Sequence, residues 1–371
     1  LVADGCTNDF GPEKIVWSCV EAVPIEVVDG LPLIKGTVNE KGPYDFVLDT
    51  LSQVIFVDED LIQTKEYTEA KISIGGKDLG LLTVKGRDMD PDEIFLGRDI
   101  AGLIGQAFFL ERFTVIDFVN QRAFLFEDPP AMEVALPGHE GRIPLEGQYE
   151  LQNMMPVVKP TIGKAGEVSL LLDTSTRDCV VYQRVFDAVD DGTLPQLRGY
   201  LFTTNYGKEE GFVTRIPELI MGEIKTKDLV AVVIPDDNHL KGILSPNGVE
   251  VEGFLGAPFW RRFAVGVDGE LVPGENRKKL FLWGTGEDTI LNDPWTKVGI
   301  ELSLRNAAVT VEMVYKGTNA EQMGLEVGDV LEGETDLVAA RQNLQGNAGE
   351  TRKLTVQGKG EITVTIEDLL P

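Results

Sequence analysis

The feature that most restricts what this chain can fold into is an internal repeat. Residues 32–50, PLIKGTVNEKGPYDFVLDT, lie without a gap over residues 156–174, PVVKPTIGKAGEVSLLLDT, at a constant offset of 124. Pro32 falls on Pro156, Lys35 on Lys159, Thr37 on Thr161, Gly42 on Gly166 and Leu48 on Leu172, and both copies end in Asp-Thr. A repeat of this kind implies a repeated structural unit, so it has to be settled before any fold is considered. Each copy reads as a β-hairpin: an extended run, a turn containing glycine, then a dense apolar strand, FVL or LLL, that delivers an aspartate at its end.

The correspondence continues downstream. GLIG at 102–105 precedes AFFLERFTVID, and GFLG at 253–256 precedes APFWRRFAVGVD. Between these landmarks each half carries an apolar hairpin around glycine, at 72–84 and 218–234. One strand ending in Asp-Thr is commonplace in a β-rich chain, whereas four parts in the same order require a duplication. The halves are unequal, with 80 residues from Asp173 to Gly253 against 53 from Asp49 to Gly102. Extra loops are therefore expected in the second half, around 184–212 and 235–252.

At 371 residues and 43% hydrophobic content the chain can bury two or three cores. Its 34 basic and 61 acidic residues give a formal charge of −27, which repels phosphate backbones and anionic lipid and argues against nucleic acid as a partner. The sequence pI of 4.4 suits an acidic working pH. No apolar run approaches the roughly 18 residues of a membrane span. The start, LVADGCTNDF, reads as a mature or trimmed end. Cys6 and Cys19 could close a short loop, and Cys179 reads as a core residue. His139 and His239 stand far apart without ligand-type neighbours, so no zinc site is expected. In RDMDPDEI, Asp88, Asp90, Asp92 and Glu93 offer alternating oxygens, but Pro91 replaces the glycine of a tight ion loop and the downstream glutamate is missing. That segment reads as a solvated acidic loop, and no metal or other cofactor is expected.

The repeated Asp-Thr loops, each followed by a hydrophobic-hydrophobic-Gly segment, resemble the aspartic peptidases of the pepsin and retropepsin superfamily over roughly residues 22–287. The resemblance implies a mainly β fold of two pseudo-symmetric lobes, 22–134 and 135–287, after an N-terminal extension, 1–21. It implies that Asp49 and Asp173 meet as a catalytic dyad and share one proton, with Thr50 and Thr174 bracing the opposite lobe. Ser52 and Thr176 occupy the fourth motif position, where the family places a hydroxyl on the neighbouring aspartate. At the third position Leu51 and Ser175 stand in place of the family's glycine. A β-hairpin flap is implied too, and the turn at Gly75 and Gly76 is its candidate, alongside the plain reading of a hairpin turn. Gly102, Gly105, Gly253 and Gly256 read as packing glycines behind the active loops.

After TGEDTILNDP, which reads as a linker, residues 295–371 resemble a bacterial-type PDZ domain, a small α+β fold, most specifically in NAEQMGLEVGDVL. By that resemblance Val298, Gly299, Ile300 and Glu301 would form the loop that captures the terminal carboxylate of an extended peptide; Glu301 and the overall acidity oppose a carboxylate, so weak C-terminal binding, an internal-peptide mode and a scaffold docked on the lobes all stay open. The combined expectation is an aspartic endopeptidase whose partners are peptide or protein substrates, sufficient as a monomer and periplasmic or secreted in a bacterium. A silent peptide-binding protein on the same fold, and a purely structural surface component, stay open.

Overall fold

The structure, a computed structural model, describes residues 21–110, 112–126, 136–139, 144–204, 207–268, 277–284 and 295–371. Cys6, Cys19, the chain start and the expected linker at 285–294 lie outside the described residues.

Both copies of the repeat are hairpins. Leu31–Val38 pairs with Lys41–Leu48, placing Leu33 opposite Val47 and Ile34 opposite Phe46. In the second copy Met155–Val158 pairs with Leu170–Leu172, and Thr161–Ile162 with Gly166–Glu167. The apolar runs FVL and LLL are explained by burial on both faces, since alternate residues of one strand enter different cores. Phe46 and Leu48 join the large central cluster while Val47 joins a smaller one with Val28, Leu31 and Leu103. Leu170 and Leu172 enter the same central cluster while Leu171 joins one with Val180, Val232 and Phe254.

Each aspartate-bearing strand has a parallel neighbour made from the downstream glycine segment. Gly102–Ile104 runs beside Phe46–Leu48 and antiparallel to Phe56–Asp58. Gly253–Leu255 does the same beside Leu171 and Leu172 and against Cys179–Tyr182. These short strands pass so close to the next backbone that a β-carbon on Gly102 would run into the Phe56 carbonyl, and one on Gly253 into that of Val180. Gly105 and Gly256 face the carbonyls of Val54 and Asp178 in the same way. A side chain at any of the four would push the aspartate loop off its strand.

Beneath both lobes Phe113–Asp117 pairs antiparallel with Phe263–Asp268. Arg122–Phe126 and then Val23–Val28 extend this sheet on one side, and Arg277–Gly284 and then Leu145–Gln152 on the other. One continuous sheet thus fixes the two lobes back to back. The additional length of the second lobe is ordered structure: helix Gln183–Val189, hairpin Leu197–Thr204 with the first half of Gly207–Met221, and helix His239–Leu244.

Residues 295–371 form a small α+β unit with its own core, including Val298, Ile300, Leu302, Val311, Leu337, Leu354 and Val364. It contains the paired strands Ile300–Arg305 and Ala308–Val314, helices Asn319–Gln322 and Leu337–Asn343, and the pair Thr351–Val356 and Gly360–Thr365. Its docking is intimate, because Met313, Tyr315 and Leu370 belong to the same buried cluster as Leu197, Tyr200 and Phe202 of the second lobe.

Gly253→Ala should lower unfolding stability by about 1–3 kcal/mol, the usual range for overpacking, because the displaced atom is backbone and cannot swing aside. Urea denaturation monitored by circular dichroism would measure this. Gly242→Ala, with open space around its β-carbon position, serves as the control and should be close to neutral.

Candidate active site

The two aspartates emerge where the central strands end, each fixed first through its backbone. Asp49 N–H donates to the Ile104 carbonyl at 2.9 Å and Asp173 N–H to that of Leu255 at 3.2 Å. Both side chains are buried, at 3% and 5% exposure.

The adjoining threonines cross between the lobes. Thr50 Oγ1 donates to the Leu172 carbonyl at 3.0 Å and accepts from Thr174 N–H at 3.1 Å. Thr174 Oγ1 donates to the Leu48 carbonyl at 2.7 Å and accepts from Thr50 N–H at 3.1 Å. Both residues are 0% exposed, so four buried hydrogen bonds satisfy each other reciprocally and hold the aspartate loops together.

The carboxylates themselves are not equivalent. Asp49 Oδ1 accepts from the N–H groups of Leu51 at 2.8 Å and Ser52 at 3.0 Å, and its Oδ2 accepts from Ser52 Oγ at 2.5 Å. Asp173 Oδ1 accepts from Ser175 N–H at 2.8 Å and Ser175 Oγ at 2.7 Å. The hydroxyl on Asp173 thus belongs to Ser175 and not, as the motif suggested, to Thr176, whose backbone N–H faces the carboxylate instead. Burial, and then the neighbouring charge of Asp49, push the Asp173 carboxyl up to about 7, against the lowering effect of Ser175. Asp49 thus has donors on both carboxylate oxygens, whereas the Ser175 donors to Asp173 converge on one.

Leu51 and Ser175 replace glycines without strain, since neither has positive φ. The Leu51 side chain packs against the second-lobe cluster that contains Leu171 and Phe254, and its backbone N–H still reaches Asp49.

Two groups that the Asp-Thr motif does not announce complete the frame. Buried Gln106 donates from Nε2 to the Thr50 carbonyl, and its backbone N–H donates to that of Ser52 at 2.6 Å. Trp260 Nε1 donates to the carbonyls of Asp173 at 3.0 Å and Leu255 at 2.6 Å. The signal for both was position, just after GLIG and within APFW, because a polar edge carried inside an apolar run has to find a buried partner.

The Gly75–Gly76 turn, the flap candidate, rests on Val23, and Gly75 N–H bonds the Lys35 carbonyl at 2.7 Å. It is the counterpart of the turn at Gly222, because Ile72–Ile74 and Leu219–Ile220 border equivalent strands of the repeat. The hairpin with no counterpart in the first lobe is Leu197–Thr204 with Gly207–Val213. Its end is fastened by His239, whose Nδ1 meets Glu209 Oε1 at 2.6 Å and whose Nε2 meets Thr204 Oγ1 at 2.9 Å. His139 instead bonds buried Asp117 at 3.1 Å.

The acidic segment, expected as a solvated loop, is helix Asp90–Leu96 in part. Asp92 turns inward to Arg87 at 2.7 Å, and Glu93 accepts from Ile100 N–H at 2.9 Å. Asp88 and Asp90 remain exposed. Burial raises the Asp92 carboxyl, Arg87 lowers it, and the charge of Asp49 raises it further. Val298, Gly299 and Ile300 are buried. Glu301 accepts from Lys297 Nζ at 2.5 Å and Tyr315 Oη at 2.7 Å. Burial would raise its carboxyl, but Lys297, Arg177 and Tyr315 hold it down to about 2. Cys179 is a buried free thiol, pushed up to about 12 by burial.

No protein-family model matches the chain, and no curated protein does. Among solved structures it is similar to an aspartic proteinase from Irpex lacteus, at 11% identity and a TM-score of 0.44, over 72% of this chain and 99% of that one. Basic 7S globulin from soybean matches at 13% identity and a TM-score of 0.38, over 70% and 94% of the two chains. A retropepsin-like aspartic protease from Rickettsia conorii matches at 13% and 0.24, over 37% and 92%.

Thr174→Val keeps the shape but strips Thr50 N–H and the Leu48 carbonyl of partners, so a loss of about 1–3 kcal/mol per stranded group is expected in thermal or urea unfolding. The Asp173 pair has its own pH signature. Its raised carboxyl retains a proton that an unfolded aspartate releases near pH 4, so its stabilising contribution is full below about pH 4 and lost as pH rises through about 7. Asp173→Asn should flatten that part of the stability profile between pH 4 and 7; an unchanged slope would refute the assignment.

Proposed function

We propose that the chain is an aspartic endopeptidase in which Asp49 and Asp173 hydrolyse peptide bonds through a shared water. The observation that carries this reading is the reciprocal threonine brace holding two buried aspartates with unequal donor sets. Peptide hydrolysis needs a base for water and an acid for the carbonyl oxygen at the same moment, and a singly protonated pair supplies both. Asp49 takes a proton from the water as its oxygen attacks the scissile carbonyl carbon, and Asp173 gives its proton to the carbonyl oxygen. Collapse of the tetrahedral diol returns that proton to Asp173, while Asp49 passes its own to the departing nitrogen, which restores the pair. The four cross-lobe hydrogen bonds keep both carboxyls on one water without reorganisation during the reaction.

The C-terminal unit is proposed as a PDZ-like peptide-binding domain serving this site, adding an extended segment of substrate along the strand Ile300–Arg305. A single chain supplies both aspartates, so no dimer is needed to build the dyad.

Incubation with a mixed peptide library from pH 3 to 7 tests the proposal. Cleavage should be strongest in acid and fall as pH rises through about 7, where Asp173 loses the proton. Asp49→Asn and Asp173→Asn should each lower the rate by at least about 100-fold, the low end for removing an acid–base group. Equal background from all three proteins would overturn hydrolysis and leave peptide binding without turnover as the function of the fold.

A further inference from the structure

Four residues beyond Asp173, Arg177 gathers groups from all three parts of the chain. Its Nη1 lies 3.3 Å from Asp29 Oδ2 of the first lobe and 4.0 Å from Glu301 Oε2 of the C-terminal unit. Its Nη2 lies 3.3 Å from the hydroxyl of Tyr200, on the second-lobe hairpin, and its guanidinium stands 5.8 Å from the Phe95 ring centroid of the first lobe. The Tyr200 hydroxyl donates to Asp178 Oδ2 at 2.5 Å. Asp29 is shared, because Arg341 of the C-terminal unit reaches the same Oδ2 at 2.7 Å while also donating to the Leu302 carbonyl at 2.7 Å. Arg177 and Arg341 meet on the Asp29 carboxylate only while the three parts remain together.

The hairpin is tied to the C-terminal unit by backbone as well as side chains. Lys316 N–H donates to the Arg198 carbonyl at 2.9 Å. Gly199 leaves room for this approach, since its β-carbon would lie 3.0 Å from the Val314 carbonyl oxygen. Tyr200 stacks on Tyr315 at 6.3 Å, and Lys316 pairs with Glu210 at 3.0 Å. On the opposite side, helix Asp90–Leu96 of the first lobe packs on strand Ile300–Arg305. A β-carbon on the following Gly97 would come within 2.7 Å of Leu337. That helix carries Asp92, which feels the charge of Asp49.

We propose that the C-terminal unit is a clasp: docked as it is here, it ties the second-lobe hairpin to the first lobe at the Arg177 end of the cleft and restricts entry of long polypeptides. The effect on entry rests on the peptidase reading; the clasp itself does not. The unit's contact with the second lobe is largely apolar, through Met313, Tyr315 and Leu370, whereas the Asp29 contacts with Arg177 and Arg341 at the first lobe are charged.

The test uses the full chain carrying Asp29→Asn together with Lys316→Glu, with Lys353→Gln, which changes the net charge by the same single unit, as the control away from the interface. Asparagine suits the left-handed backbone at position 29, where φ is 54°, and Lys316 is largely exposed. Hydrogen exchange of amides in 198–201 and at Lys316 should quicken at least tenfold in the double variant, with core amides such as Leu103 and Val356 unchanged. Cleavage of a reduced, carboxymethylated protein should rise at least threefold relative to cleavage of an octapeptide. Unchanged exchange overturns the clasp, and faster exchange with an unchanged cleavage ratio overturns its control of entry. A chain that cuts nothing in either form sinks the peptidase reading, and the exchange measurement then decides the clasp alone. Should the double variant unfold, Lys316→Glu by itself carries the same readouts.

Discussion

Everything about the proposed site depends on two threonine hydroxyls. Thr50 and Thr174 each accept one backbone N–H and donate to one carbonyl of the opposite lobe, all within a dry interior. In such surroundings an unmade hydrogen bond costs about 1–3 kcal/mol, so the loops have a single arrangement in which every group is satisfied. The same arrangement forces Asp49 and Asp173 into proximity, although two carboxylates would otherwise avoid one another. The brace supplies the opposing force that permits two carboxyl groups to be buried as neighbours. The sheet formed by Phe113–Asp117 and Phe263–Asp268 does the coarser work, setting the lobes back to back so that only the loops need precise adjustment.

Much of this was legible because a duplication repeats constraint as well as sequence. The offset of 124 residues within the repeat is the separation of Thr50 from Thr174 in their hydrogen bonds. The dense FVL and LLL runs were legible as strands, although nothing local to them states that their alternate residues feed different cores. Gly102 and Gly253 could be read as close-packing positions, because each sits in an apolar segment where a turn has no place.

What escaped the sequence depends on contacts between distant segments. Asp92 and Glu93 look solvated beside Asp88 and Asp90, yet Arg87 and the Ile100 amide turn them inward. Glu301 looked like an obstacle to a carboxylate ligand, because the sequence does not reveal that Lys297, Tyr315 and Arg177 converge upon it. The unmatched hairpin at 197–213 lay in the part of the second half that has no partner in the first, where a repeat is silent.

Leu51 shows how a motif departure should be weighed. A glycine in a loop is required either by a left-handed backbone or by a close approach, and these demands are separable. At position 51 the backbone is not left-handed, and the side chain leaves sideways into the second-lobe cluster. The amide that matters to Asp49 is common to every residue but proline, and it is in place. Leucine therefore adds a side chain to the second-lobe cluster without removing the amide bond to Asp49. Ser175 goes further, because its hydroxyl takes over the bond to Asp173 that the motif assigned to Thr176. The two loops reach similar carboxylate environments by different residues, which is what conservation of geometry without conservation of letters looks like in a duplicated site.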